Sequence, residues 1–340
     1  RMLDPSGARL PAQQLIPAGK PETMRVLHGA MDLTPRVARL AQALRERGVY
    51  ARSVNYAPQA LPPYPDYALD VNAIDSGGEI LNETAEIASM LISEFDVFHF
   101  HYGTTLTFNH FDLIALHDLG KKVVMHYWNR ESAGAEKMRS IARFVKTCVA
   151  SDEDVFEQAK EWFEDVRIIR PMVDLKKYEP AYGGARKDTF TIVHAPTARE
   201  VKGTEHVLKA VDALTSGRAI DLKLVQGVPH EQAMRLYRDA DLIVDQLLDG
   251  HYGMLAVEGM ALGKPVVCFV SDRMRGKYPA GLPLIHAEPG NLRDVLENLI
   301  NNREALPEIG RRGREYVRTH HNMDVEIFKL IGLYHELRMK

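Results

Sequence analysis

The sequence predicts a two-domain α/β protein with parallel, doubly wound sheets. Three observations carry that class. The 340 residues exceed one ordinary domain, and short apolar runs alternate with helical stretches along nearly the whole chain. The alternation breaks once, at a charged stretch over 170–188 that holds two prolines and a Gly-Gly pair. Strands separated by helices pair in parallel through right-handed crossovers, and each half then forms one such layer.

From the N-terminus, residues 1–23 show no apolar period and read as a tail, with Met24 a candidate native start. The first domain spans 24–170. Strand-like runs lie at 25–29, 51–56, 96–101, 122–127, 147–150 and 166–169, and helical patterns at 35–48, 80–93, 109–119, 135–144 and 155–163. Four prolines within 58–65 leave too few donors for a ladder, so that stretch is a loop. Ser151-Asp152-Glu153-Asp154 reads as a helix N-cap followed by early acids. After the linker (171–188), strands are expected at 190–194, 221–226, 242–246, 265–269 and 284–285. Helices are expected at 204–214, 230–238, 255–262, 292–301 and 306–318. The second domain covers 189–322, and a last helical segment, 323–340, follows it.

Composition narrows the class. With 45% hydrophobic and 26% charged residues, the chain reads as globular rather than disordered or collagenous. The 43 basic and 46 acidic residues give a formal charge of −3, which lacks the basic excess of a nucleic-acid binder. Cys148 and Cys268 sit in apolar runs and read as buried thiols, which sets the expected localisation as cytoplasmic. No apolar run approaches 18 residues. The basic run at 310–321, with four arginines, reads as a solvated helix face, with peripheral contact to an anionic membrane as the alternative.

Four segments of the second half resemble the retaining family 4 (group 1) glycosyltransferases. They are Arg170-Pro-Met-Val-Asp-Leu with Tyr178, His194-Ala-Pro-Thr-Ala-Arg-Glu-Val-Lys-Gly203, Ala240-Asp-Leu-Ile-Val-Asp245, and Gly250-His-Tyr-Gly-Met-Leu-Ala-Val-Glu-Gly-Met-Ala-Leu-Gly-Lys-Pro-Val-Val267. The last is the most specific, because matched positions run in order through loop, helix and strand. The N-terminal half matches in rhythm, in Asp96-Val-Phe-His-Phe-His and in Val123-Val-Met-His. The resemblance implies a GT-B architecture: two Rossmann-like domains facing a cleft, with the last helix crossing back to the first. It further implies transfer of a sugar from a nucleotide-diphosphate donor to a glycan or lipid-linked acceptor, without a metal or other cofactor.

Under that resemblance, Arg199 and Lys202 clamp the donor diphosphate, although Arg199 stands three positions before the lysine where the family often has five. Glu258 would hold the ribose hydroxyls. Gly227, His251, Tyr252, Gly253 and Met254 line the donor side, Gly29 approaches the phosphates, and His126 hydrogen-bonds the sugar. His101 and Tyr102 are acceptor-side candidates. The family commonly has a glutamate where this chain has Gly250. Either Asp249 replaces it through a shifted loop, or no carboxylate is needed and the departing phosphate deprotonates the acceptor on the front face. His99 and His101, two apart on a strand, share one face, and with His126 they also fit a three-histidine metal site. The chemistry implied by the resemblance needs no such ion, and a satisfied core histidine is the plain reading of His99. No Gly-x-Gly-x-x-Gly follows the first strand, which disfavours a nicotinamide cofactor. Two other readings stay open: a sugar-nucleotide epimerase-like enzyme, and a non-catalytic scaffold of the same fold.

Overall fold

The computed structural model describes residues 24–32, 35–56, 62–69, 77–129, 134–182 and 188–339. The expected tail, and part of the proline-rich loop and of the linker, lie outside these. The chain divides into two compact units. One runs to Ile169 and takes up the chain again from Ile327, and the other is Arg170–Glu326.

In the first unit, β1 (Arg25–Gly29), β2 (Tyr50–Asn55), β3 (Tyr67–Ala68), β4 (Val97–His101), β5 (Lys122–Tyr127), β6 (Thr147–Ala150) and β7 (Asp165–Ile168) form one sheet. Its order is β3-β2-β1-β4-β5-β6-β7, with every pairing parallel. Helices α1 (Arg36–Arg45), α2 (Gly77–Glu94), α3 (Phe111–Asp118), α4 (Ala135–Ile141) and α5 (Glu153–Ala159) supply the crossovers. The side chain of Asp152 caps α5 by accepting from the amides of Asp154 and Val155 at 2.9 Å. Strand β3 has no counterpart in the sequence reading. Two residues cannot show a period, and it exists because Val54 and Asn55 offer an edge to Tyr67 and Ala68.

β4 shows why the unit holds a polar cluster. All five of its residues are buried. Alternation sends Phe98 and Phe100 into the main apolar core and His99 and His101 to the opposite face. His28 lies opposite His99, and His126 opposite His101. The switch point of the sheet, where β1 and β4 run side by side with their crossovers leaving in opposite directions, is where such sheets bind ligands.

The second unit repeats the plan with β8 (Phe190–His194), β9 (Ile220–Leu224), β10 (Leu242–Val244), β11 (Val266–Cys268) and β12 (Ile285–His286). Their order is β12-β11-β10-β8-β9, again parallel throughout. Its helices are α6 (Arg199–Lys202), α7 (Thr204–Thr215), α8 (His230–Asp239), α9 (Met254–Ala261), α10 (Asp272–Arg275), α11 (Leu292–Asn301) and α12 (Leu306–His320). The final helix, α13 (Met323–Met339), begins in the second unit and from Ile327 belongs to the first. Val173 is stitched to the α12–α13 junction by bonds to His321 and Met323, which ties the start of the linker to the second unit.

Helix α9 is buried over Leu255–Ala261. A side chain at Gly259 would meet Ile243 and Val266 at 2.9 Å, so only glycine lets α9 lie this close to the sheet. The basic run at 310–321 is largely committed to the fold. Arg314 donates to the carbonyls of Leu175, Tyr178 and Ala261, while Arg311 and Arg318 pair with Glu308 and Glu315 on their own helix. No helix among the described residues is long and apolar enough to cross a membrane.

Candidate functional site

The site of the second unit is built where β8 and β10 end. His194 closes β8, and its Nδ1 is 2.9 Å from the Val244 carbonyl while its Nε2 is 2.9 Å from the Thr204 hydroxyl. Burial lowers its pKa, so the neutral ring donates from Nδ1 and accepts at Nε2. The start of α7 is thereby tied to the strand ends. Between them, the single turn of α6 carries Lys202. Gly203 follows at φ +72°, a left-handed turn that glycine takes without strain, against Leu247 and Leu248.

The Lys202 ammonium, largely buried, lies 3.9 Å from Asp249. It also faces Asp245, the residue that follows β10. Burial raises the Asp245 pKa, opposed chiefly by the lysine charge and the Gly253 amide, which bonds its Oδ2 at 2.6 Å. A side chain at Gly253 would come within 3.6 Å of the ammonium and 3.3 Å of the carboxylate, so this glycine keeps the start of α9 open. The first-turn amides of α9 have no acceptor within the helix and point their partial positive charge towards the same loop. Fixed cation and helix terminus make an anion-binding arrangement at the edge of a parallel sheet.

Sequence reasoning missed the residue that organises the loop. Gln246, fully buried, accepts from the amides of Leu248 and Asp249 at 3.0 and 2.7 Å. It donates to the carbonyls of His251 and Phe269. The signal was an amide following the apolar run Leu-Ile-Val and Asp245, which periodicity cannot distinguish from a strand end. Gly250 sits at φ +80°, where a side chain would also meet Ser271 at 3.2 Å. The glycine is therefore built into the turn, and Asp249 stands beside Lys202 together with Asp245.

Glu258 is the one charged residue in buried α9. Its Oε1 accepts from the Tyr178 hydroxyl at 2.9 Å and lies 2.8 Å from His230 Nε2. A buried carboxylate needs such partners; the sequence singled out Tyr178 as a linker motif residue without pairing it with Glu258, and His230 not at all. Among the described residues, no protein hydrogen bond reaches its Oε2. His251 Nδ1 is 3.3 Å from the Tyr278 hydroxyl, and the Tyr252 hydroxyl 3.0 Å from His321. Met254 opens α9. Gly227, at φ +66°, turns the chain between β9 and α8 with open space around it. Arg199 is drawn towards Glu205, which it bonds at 2.9 Å.

In the first unit, His28, His99, His101 and His126 are wholly buried together with Tyr334 of α13. The ligand atoms of His28, His99 and His101 lie within 4.8 Å of one another. That set differs from the His99, His101 and His126 trio read from the sequence, because His28 enters from β1. Trp128 stacks on His126 with ring centroids 3.9 Å apart. Tyr102 leaves β4 with φ +57°, a conformation non-glycine residues rarely hold. Gly29 has a packing reason of its own, since a Cβ there would sit 2.3 Å from the Val54 side chain.

No family model matches the chain. A curated protein, D-inositol 3-phosphate glycosyltransferase of Paenarthrobacter aurescens (strain TC1), is 23% identical over 227 residues, which is 54% of this chain and 54% of that protein. The match thus spans about half the length of that relative. Among solved structures, sucrose-phosphate synthase of Thermosynechococcus elongatus is 14% identical with TM-score 0.67, covering 94% of this chain and 100% of that one. HepE of Anabaena, in complex with UDP-glucose, is 14% identical with TM-score 0.64 over 92% and 100%. UDP-GlcNAc 2-epimerase of Neisseria meningitidis is 15% identical with TM-score 0.57 over 91% and 100%. The fold is the one these structures share, an α/β chain of the GT-B class with two parallel Rossmann-like sheets.

Proposed function

We propose that this chain is a glycosyltransferase that takes a hexosyl group from a nucleotide-diphosphate donor and passes it, with retention, to a glycan or lipid-linked acceptor. The observation that carries the reading is Lys202, fixed between Asp245 and Asp249 at the open N-terminus of α9. As the glycosidic bond breaks, negative charge grows on the distal phosphate. A preorganised ammonium and helix amides stabilise that charge without reorganising. Glu258, held at Oε1 by Tyr178 and His230, keeps Oε2 for the ribose hydroxyls. The glycosyltransferase relative and the structure holding UDP-glucose point in the same direction.

Gly250 favours the front-face route over a covalent intermediate, because its turn disfavours a side chain at that position. The departing phosphate takes the acceptor proton, and Asp249 and Lys202 set the potential around it. The positive charge needed at the diphosphate comes from the protein, and the reading assigns no metal. Of the rival readings, an epimerase releases free sugar without an acceptor, and a scaffold binds without turnover. Donor hydrolysis and transfer assays on the wild type and on Lys202→Ala and Glu258→Gln separate them. Loss of turnover in both variants is the expected result, and unchanged turnover in both overturns the proposal.

A further inference from the structure

The start of α9 gathers more negative than positive charge, which is the wrong balance for an anion site at rest. The Lys202 ammonium lies 3.9 Å from Asp249, beyond hydrogen-bond distance. A Gly253 Cβ would stand 3.6 Å from that ammonium and 3.3 Å from Asp245 Oδ2, so lysine and carboxylate face one spot. Two carboxylates thus share one ammonium, and the trio is net negative when both are ionised. The other groups around Asp245 do not restore the balance. Cys268, from β11, has its Sγ 3.8 Å from Asp245 Oδ2, and burial pushes the pKa of its thiol well up. Burial likewise keeps the Tyr237 hydroxyl, from α8, protonated. His194, opposite Val244 on β8, is a neutral ring. Arg199 is bonded to Glu205. Glu258, further along α9, adds a carboxylate of its own, held by Tyr178 and His230.

We propose that Asp245 is a positioning residue that takes up one proton from solvent when a nucleotide diphosphate binds, and so releases Lys202 to the phosphates. The inference rests on the nucleotide-sugar reading of this site. A dianionic diphosphate brought to a net negative cluster disfavours every ionised carboxylate beside it. Of the two, Asp245 is the one that yields. It is 2% exposed, whereas the Asp249 side chain, 45% exposed, keeps its water. Burial already pushes the Asp245 pKa up, against the lysine charge and the Gly253 amide. That amide engages Oδ2 at 2.6 Å. Oδ1 has no hydrogen bond among the described residues and is the atom that receives the proton. No bond of the ligand breaks in this step. Protonated Asp245 keeps its bond from Gly253, so the start of α9 stays in place. Affinity then falls as the pH rises between the Asp245 pKa of the free protein and the higher one of the complex. The slope is up to about tenfold per pH unit, and below the lower value the affinity levels off.

Titration calorimetry of the full chain with UDP-, GDP- and ADP-glucose, in HEPES and in Tris, counts the proton, because the two buffers differ in heat of ionisation. The phosphates of a nucleotide sugar do not themselves titrate near neutral pH. Between pH 5 and 8 the donor that binds should take up protons, and its affinity should fall over the same range. Asp245→Asn carries no charge and keeps an oxygen for the Gly253 amide. It should take up no proton and bind more tightly than the wild type, by up to about tenfold for each pH unit above the range where Asp245 titrates. A merely structural role for Asp245 predicts the reverse, with weaker binding in the variant and a flat wild-type profile. Should the variant fail to fold, the carboxyl 13C shift of Asp245 in the wild type decides. It should move to its protonated value as the donor binds, and an unmoved shift overturns the proposal. Binding without proton uptake, or uptake that persists in Asp245→Asn, overturns the proposal and leaves the glycosyl-transfer reading standing. Binding of none of the three donors overturns that reading and the proposal together.

Discussion

The Lys202 ammonium and the Asp249 carboxylate lie 3.9 Å apart, one residue before a glycine held at φ +80°. The pair concentrates charge at the start of α9, and most of what can be tested follows from it. Replacing Lys202 by alanine should lower kcat about 10²–10³-fold, the usual loss for one preorganised transition-state donor. Arg199→Ala should cost much less, because that guanidinium already bonds exposed Glu205. Steady-state donor turnover distinguishes the two.

A glutamate introduced at position 250 should not supply a nucleophile. Gly250→Glu forces a left-handed backbone on a side chain that also meets Ser271. A loss of about 1–2 kcal/mol in denaturant unfolding is expected, with no gain in turnover. A more active variant would show that the turn is not what excludes the carboxylate.

The partners of Glu258 should act on nucleotide affinity. Tyr178→Phe removes a buried hydroxyl bonded to Oε1, and the carboxylate then loses its fixed orientation. A loss of about 1 kcal/mol in nucleotide binding is expected, raising the donor KM more than it lowers kcat.

The histidine cluster makes stability pH-dependent. Burial pushes the His28 pKa down from 6.5 to about 3, and holds His99, His101 and His126 well below their ordinary value. Below pH 6.5 the unfolded chain binds protons that the folded chain does not. Stability is therefore fully present above 6.5 and falls as the pH falls, for His28 down to about 3. The slope is up to about 1.4 kcal/mol per pH unit for each such histidine. Melting curves between pH 7 and 5 check the sign, which His28→Gln should weaken.

Much of the fold was legible because nearly every strand is a short apolar run and most helices carry a clear apolar face. Strand β3 was not, since two residues on a sheet edge have no period. Lys202 and Glu258 stood out through motif order. Their supports did not: Gln246 looked like a strand end, Tyr178 sat in a linker, and His230 opened an amphipathic helix. Spacing showed His99 and His101 on one face. Only the tertiary fold brings in His28, from β1, and Tyr334, 235 residues beyond His99 in the chain.

The central claim is that the second unit holds a nucleotide-diphosphate sugar through Lys202. Titration calorimetry with UDP-, GDP- and ADP-sugars against the wild type and Lys202→Ala tests it most directly. One donor should bind the wild type and bind the variant at least tenfold more weakly, about 1.4 kcal/mol. No binding of any donor, or equal affinity in both proteins, would contradict the claim.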